Sequence, residues 1–125
     1  MLDERLQKVE DLRRDRKIKI EGIANELGLD QVTLYKWLRE INIPSESKIV
    51  AMDTLLFDDN STEICDLADR LNIDAISKNT SLIKFISTNV KIPKIALESR
   101  NLKRVYRIAI AKFIFELIET LNARI

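Results

Sequence analysis

Apolar residues recur along most of this chain at intervals of three and four, the repeat that lines one face of a helix. Leu2, Leu6, Val9 and Leu12 keep that spacing from Leu2 to Arg14 and predict a first helix. Ile20, Ile23, Ala24 and Leu27 predict a second, after which Gly28 can end a helix in the left-handed conformation that glycine enters without a Cβ penalty. Asp30 suits the N-cap of a third helix from Gln31 to Glu40. Further on, Asp58-Asp59-Asn60-Ser61 reads as a loop, with Ser61 as N-cap of a short helix whose buried stripe is Ile64, Leu67, Ala68 and Leu71. The longest helical stretch runs from Ser99 to Ala123. Leu102, Val105, Tyr106, Ala109, Ile110, Phe113, Leu117 and Leu121 form its stripe, and Ile108, Ile114, Phe115 and Ile118 widen it.

Composition turns this helical pattern into a fold class. With two glycines and two prolines in 125 residues, hairpin and sheet turns are poorly provided for, so the chain is expected to be all-α. Gly22 and Gly28 are also too few for a dinucleotide fingerprint or a P-loop. The absence of histidine removes imidazole as general base or metal ligand, and with it the Ser-His-Asp, Cys-His and His-based zinc chemistries. Cys65 stands alone and reads as a small hydrophobe on a helix face. The N-terminal Met1-Leu2-Asp3-Glu4-Arg5 carries charge where a signal peptide would be apolar. The most apolar run, Ile108 to Ile118, is interrupted by Lys112 and Glu116 and is too short to span a membrane. A cytoplasmic protein without cofactor, metal or membrane association is expected.

A net charge of +1 conceals an uneven distribution. Residues 41–75 carry two Lys/Arg against eight Asp/Glu, whereas residues 76–125 carry ten against three. Either two functional surfaces or two complementary faces that meet on assembly would produce this pattern.

The short turn between the second and third predicted helices has the length of a helix-turn-helix. The stretch Ile23-Ala24-Asn25-Glu26-Leu27-Gly28-Leu29-Asp30-Gln31-Val32-Thr33-Leu34-Tyr35-Lys36-Trp37 resembles that motif in the Cro/repressor-type (XRE-like) DNA-binding proteins. Ala24, Gly28 and Leu34 stand where that family has its small residue, its turn glycine and its core plug. Trp37 and Pro44 keep the family's later spacing. Leu12 to Arg16 is similar to the end of the family's first helix and Ser45 to Phe57 to its fourth, so the resemblance covers about residues 5–57. The chain departs from the pattern after the tryptophan, with Leu38 and Glu40 where the family often has Glu and Gly.

The resemblance implies an N-terminal lambda-repressor-like bundle over residues 1–57 that binds double-stranded DNA. Leu34 and Trp37 would face inward with Val32 or Leu38 at the margins, leaving Gln31, Thr33, Tyr35, Lys36 and Arg39 to face DNA. Gln31 is the leading base reader, since its amide can pair with adenine N6 and N7 from the end of the helix that enters the major groove. Arg13, Arg14, Arg16, Lys17 and Lys19 would suit phosphate neutralisation, or else form a solvated connection.

Residues 58–125 are expected to assemble the protein. The long C-terminal helix reads either as a homodimer interface through Leu102, Tyr106, Ile110, Phe113, Leu117 and Leu121, or as a central core helix. Arg100, Lys103, Arg104, Arg107 and Lys112 on it could meet phosphate or pair with the acidic middle. A faint repeat aligns Leu67 to Asp74 with Ile23 to Asp30 and Ser81 to Phe85 with Thr33 to Trp37, each copy then reaching Ile-Pro. A degenerate second helix-turn-helix over 64–93 is one reading of it, ordinary helices the other. The function expected is a dimeric, nucleoid-associated transcriptional regulator, a repressor of phage or mobile-element type, acting by occupancy rather than catalysis. A phage small-terminase-like packaging protein and an antitoxin-like or anti-repressor interaction module are the alternatives.

Overall fold

The computed structural model describes residues 2–123, among which the backbone forms nine α-helices and no strand. In chain order these are α1 (Glu4–Arg16), α2 (Ile20–Leu27), α3 (Gln31–Leu38), α4 (Glu46–Phe57), α5 (Ser61–Arg70), α6 (Ile73–Ser77), α7 (Thr80–Val90), α8 (Lys94–Leu97) and α9 (Arg104–Ala123). The chain is all-α, as its few glycines and prolines imply.

The first three helices end in the same way. Lys17, Gly28 and Glu40 adopt φ of 52°, 69° and 59°, the left-handed region. The next N–H then reaches back across the last turn: Ile18 donates to the Arg13 carbonyl at 3.1 Å, Leu29 to Ala24 at 2.8 Å and Ile41 to Lys36 at 2.9 Å. This closure satisfies carbonyls that a helix end leaves orphaned. Helix starts follow the sequence less closely. Asp30 occupies the N-cap of α3 in extended backbone, but its side chain makes no capping bond. Ser61 is the first helical residue of α5 rather than its cap; Asn60 holds that place, and the Ser61 hydroxyl donates to the Leu55 carbonyl at 2.7 Å. Likewise α9 begins at Arg104 and not at Ser99, because the Asn101 N–H donates to Ser99 Oγ and closes a turn there.

Buried side chains from both halves form one continuous core, so the expected boundary at 57/58 falls at the α4–α5 connection without a break in packing. Helix α9 organises this core, packing most extensively on α4 and α5. Ile108, Ala109, Ile110 and Ala111 are all buried, and four consecutive residues cover the full circumference of a helix. The structure therefore corrects the dimer assignment for part of the stripe. Leu102 and Ile110 belong to the chain's own core, and Tyr106 and Phe113 are half-buried against it. From Glu116 to Ala123 every described residue is exposed, including Leu117, Ile118 and Leu121.

The faint repeat fails at its turn. Asn72, aligned with Gly28, has φ of −80° rather than a left-handed value, and its side chain accepts the Ala75 N–H to start α6. Residues Ile73–Ser77 thus form a short helix between α5 and α7 that the first copy lacks, and α5, α6 and α7 do not reproduce the α2–α3 pair.

The acidic middle and the basic C-terminal half meet within the chain. Arg104 on α9 places one guanidinium edge on Asp69 and donates from Nη1 to the Glu26 carbonyl at 2.7 Å and to Glu26 Oε2 at 3.0 Å, tying α9 to α5 and α2. Arg107 lies 4.0 Å from the same Asp69, Arg100 pairs with Asp74, and Lys112 donates to Asp58. Such pairings set the pH profile. The hydrogen bond from Arg13 holds the Glu10 carboxyl below its ordinary value, Arg5 does the same for Asp3 and Glu46, and Lys78 for Asp74. At Asp58 burial opposes ionisation, but Lys112 and the Asn60 N–H overcome it. A carboxyl whose pKa is lower folded than unfolded contributes stability that is present above the unfolded value and lost as pH falls through the folded one. Burial pushes the Cys65 thiol up from 9.0, so its contribution is lost as pH rises past that point. With no histidine in the chain, unfolding free energy measured by urea titration should be flat from about pH 5.5 to 8.5 and fall below about pH 4.5. A midpoint near pH 6.5 would contradict this assignment of groups.

Candidate nucleic-acid interface

The α2–α3 pair is built from two eight-residue helices and the turn Gly28-Leu29-Asp30. Ala24, Leu27 and Leu34 are fully buried and Trp37 nearly so, which turns one face of each helix into the core. Of the positions expected to carry the motif, Ala24, Leu34 and Trp37 lie in that core and Gly28 sits at the left-handed turn. Glu40, where the resembled family often has glycine, also adopts a left-handed φ. A departure in residue type therefore leaves the local backbone conformation one that glycine would accept.

The outer face of α3 is set by the same register. Leu34, Trp37 and Leu38 take the inner face, so Gln31, Val32, Tyr35, Lys36 and Arg39 come together outside, at one- and four-residue spacings. Thr33 lies on the margin, half-buried. Sequence reasoning left Val32 and Leu38 undecided. The structure buries Leu38 and leaves Val32 49% exposed beside Gln31 and Tyr35, so Val32 is the apolar member of the face that was missed. The four-residue steps from Gln31 to Tyr35 to Arg39 and from Val32 to Lys36 would have identified it. Ile20, at the start of α2, joins Gln31, Val32 and Tyr35 around a shallow hollow of about 260 Å³. The Arg39 guanidinium lies 5.3 Å from the Tyr35 ring centroid, a cation–π contact that holds both side chains on the same face. Behind α3, Lys48 of α4 has its ammonium 5.8 Å from the Trp37 ring and 5.7 Å from the Tyr106 ring, linking α3 to α9 through α4.

The five cations assigned to phosphate separate into two groups. Glu10 is buried, and Arg13 donates to both its oxygens at 3.0 and 2.7 Å while Arg14 donates at 3.1 Å. A buried carboxylate requires such neutralisation, so the Arg13 guanidinium is committed inside the fold, and Arg14 is shared between Glu10 and solvent. Arg16, Lys17 and Lys19 are exposed, with no carboxylate partner among the described residues, and they cluster where α1 gives way to α2.

Asp58 accepts from Lys112 and from the Asn60 N–H, and no cluster of three His, Cys, Asp or Glu able to hold a metal ion occurs among the described residues. No described helix is long and apolar enough to cross a membrane. Comparison of the chain with protein-family models, curated proteins and solved structures returned no match.

Proposed function

We propose that this chain is a sequence-specific double-stranded DNA-binding regulator that inserts α3 into the major groove and acts as a homodimer on a two-fold symmetric operator. One observation carries the reading. A short helix, held by a buried inner face and a left-handed turn, presents Gln31, Val32, Tyr35, Lys36 and Arg39 together to solvent, while the free Arg16, Lys17 and Lys19 lie at the start of the helix packed beside it. Gln31 opens α3 and offers its amide to adenine N6 and N7, Val32 offers a methyl surface to the thymine methyl, and Lys36 and Arg39 reach guanine or phosphate. Arg16, Lys17 and Lys19 neutralise flanking phosphates, which fixes register without carrying sequence information. The exposed Leu117, Ile118 and Leu121 on the end of α9 supply the contact between copies that would set half-sites about one helical turn apart.

Selection from random duplexes, followed by affinity measured against salt concentration, tests the reading. A consensus with two-fold symmetry is expected. The substitution Gln31→Ala, at an exposed position, should leave the fold intact and lower discrimination at one base pair of each half-site by about 30-fold, equivalent to about 2 kcal/mol. Selection that yields no consensus, or a Gln31→Ala chain with unaltered preference, overturns it.

A further inference from the structure

The segment from residue 78 to residue 103 carries six Lys/Arg against a single carboxylate, Glu98. Two of the six have a carboxylate partner within the fold, since Lys78 and Arg100 share Asp74 at 2.9 and 3.4 Å. The neighbouring α9 cations Arg104, Arg107 and Lys112 are likewise taken by Asp69 and Asp58. The carboxylates of the acidic middle thus draw on these five side chains and leave Lys84, Lys91, Lys94 and Lys103 exposed, without a carboxylate partner among the described residues.

Position adds to charge. Lys84 on α7 and Lys94 on α8 line one hollow of about 380 Å³ together with Ser77, Thr80, Ile83 and Glu98, the segment's one carboxylate. Thr80 opens α7, and its hydroxyl has no partner among the described residues. Lys91, at the left-handed end of α7, lines a different hollow with Glu46, Lys112 and Glu116. Glu98 offsets one of the two lysines, so the hollow keeps a net positive charge, which an external polyanion would complement. A duplex backbone fits: it presents a charge about every 1.7 Å of axis and tolerates variation in lysine spacing.

We propose that Lys84 and Lys94 form a second phosphate-contact surface, through which the C-terminal half holds the backbone of duplex DNA while α3 reads bases. This rests on the reading of the chain as a duplex-binding protein and extends it to a half of the chain that the helix-turn-helix resemblance does not cover. The two surfaces have separable signatures. Contacts made by Lys84 and Lys94 contribute salt-dependent affinity equally to every sequence, whereas Gln31 contributes discrimination.

The test uses the full chain, its selected duplex and a scrambled duplex, with association constants measured between 50 and 300 mM salt. Beside the wild type stand the double variant Lys84→Gln/Lys94→Gln and a control, Lys8→Gln, which removes a lysine already paired with Asp53. Loss of two phosphate contacts should reduce the steepness of log K against log salt by about 1.8 and weaken binding by about 60-fold at 0.1 M salt. The ratio of selected to scrambled affinity and the thermal melting curve should not change, and Lys8→Gln should match the wild type. An unchanged slope in the double variant, with selected-duplex binding intact, overturns the second surface alone. So does a double variant that loses adsorption to vesicles of anionic phospholipid while its duplex slope is unaltered. If the wild-type chain binds neither duplex, the DNA-binding reading itself is overturned and the second surface with it, a failure visible before any variant is made.

Discussion

Ile108→Ala should lower the free energy of unfolding by about 4 kcal/mol, whereas Leu117→Ala, on the same helix, should lower that of the monomer by less than about 1 kcal/mol. Ile108 is completely buried at the point where α9 is enclosed by α4 and α5, and truncating a well-packed isoleucine loses both transfer energy and the contacts around the cavity left behind. Leu117 is 42% exposed on the end of α9, where a shortened side chain leaves no enclosed void. Trp37 is the only tryptophan and is buried, so its fluorescence during urea unfolding reports both variants. On the dimer reading, Leu117→Ala should also weaken self-association, seen by sedimentation at increasing protein concentration, while Ile108→Ala should act through folding alone. Equal losses from the two substitutions would mean that the end of α9 is enclosed as thoroughly as its start.

This contrast marks what periodicity can and cannot convey. The three- and four-residue repeat located α1, α2, α5 and most of α9, because each buries a continuous stripe and the stripe is written in residue type. It could not say whose surface covers the stripe. In α9 the apolar circumference around Ile108 to Ala111 is covered by the chain's own helices, whereas Leu117 and Leu121, identical in character, are left outside. The fate of the cations was hidden for a related reason. Arg104 meets Glu26 across most of the chain and Lys112 meets Asp58, so which arginines and lysines remain available depends on long-range packing rather than on neighbouring residues. Arg13 and Lys17 are both basic residues near the end of one helix, yet only Arg13 is held by the buried Glu10. Left-handed helix ends were legible at Gly28 but not at Lys17 or Glu40, where the backbone adopts the conformation without the residue that signals it.

Gly28→Val should destabilise the chain by about 3 kcal/mol, and Gly22→Ala should stabilise it by about 0.5–1 kcal/mol, although the two glycines belong to the same short segment. Gly28 has φ of 69°, and a Cβ there would lie 3.3 Å from the Cβ of Arg104. A branched side chain would therefore carry the penalty of the left-handed region and also press on the start of α9. That pressure acts where Arg104 holds the Glu26 carbonyl and Asp69, so the strain reaches the ion pairs that tie α2 to α5 and α9. Gly22 lies within α2 with nothing within 4 Å of its Cβ direction and no left-handed φ, so alanine fits the native backbone and reduces the freedom of the unfolded chain. Urea unfolding of both variants separates the contributions. An intermediate Gly28→Ala loss of about 1–2 kcal/mol assigns that part to backbone conformation and the remainder for valine to contact with Arg104. If valine costs no more than alanine, the Arg104 contact yields freely, and the α2–α3 turn is fixed by glycine's backbone alone.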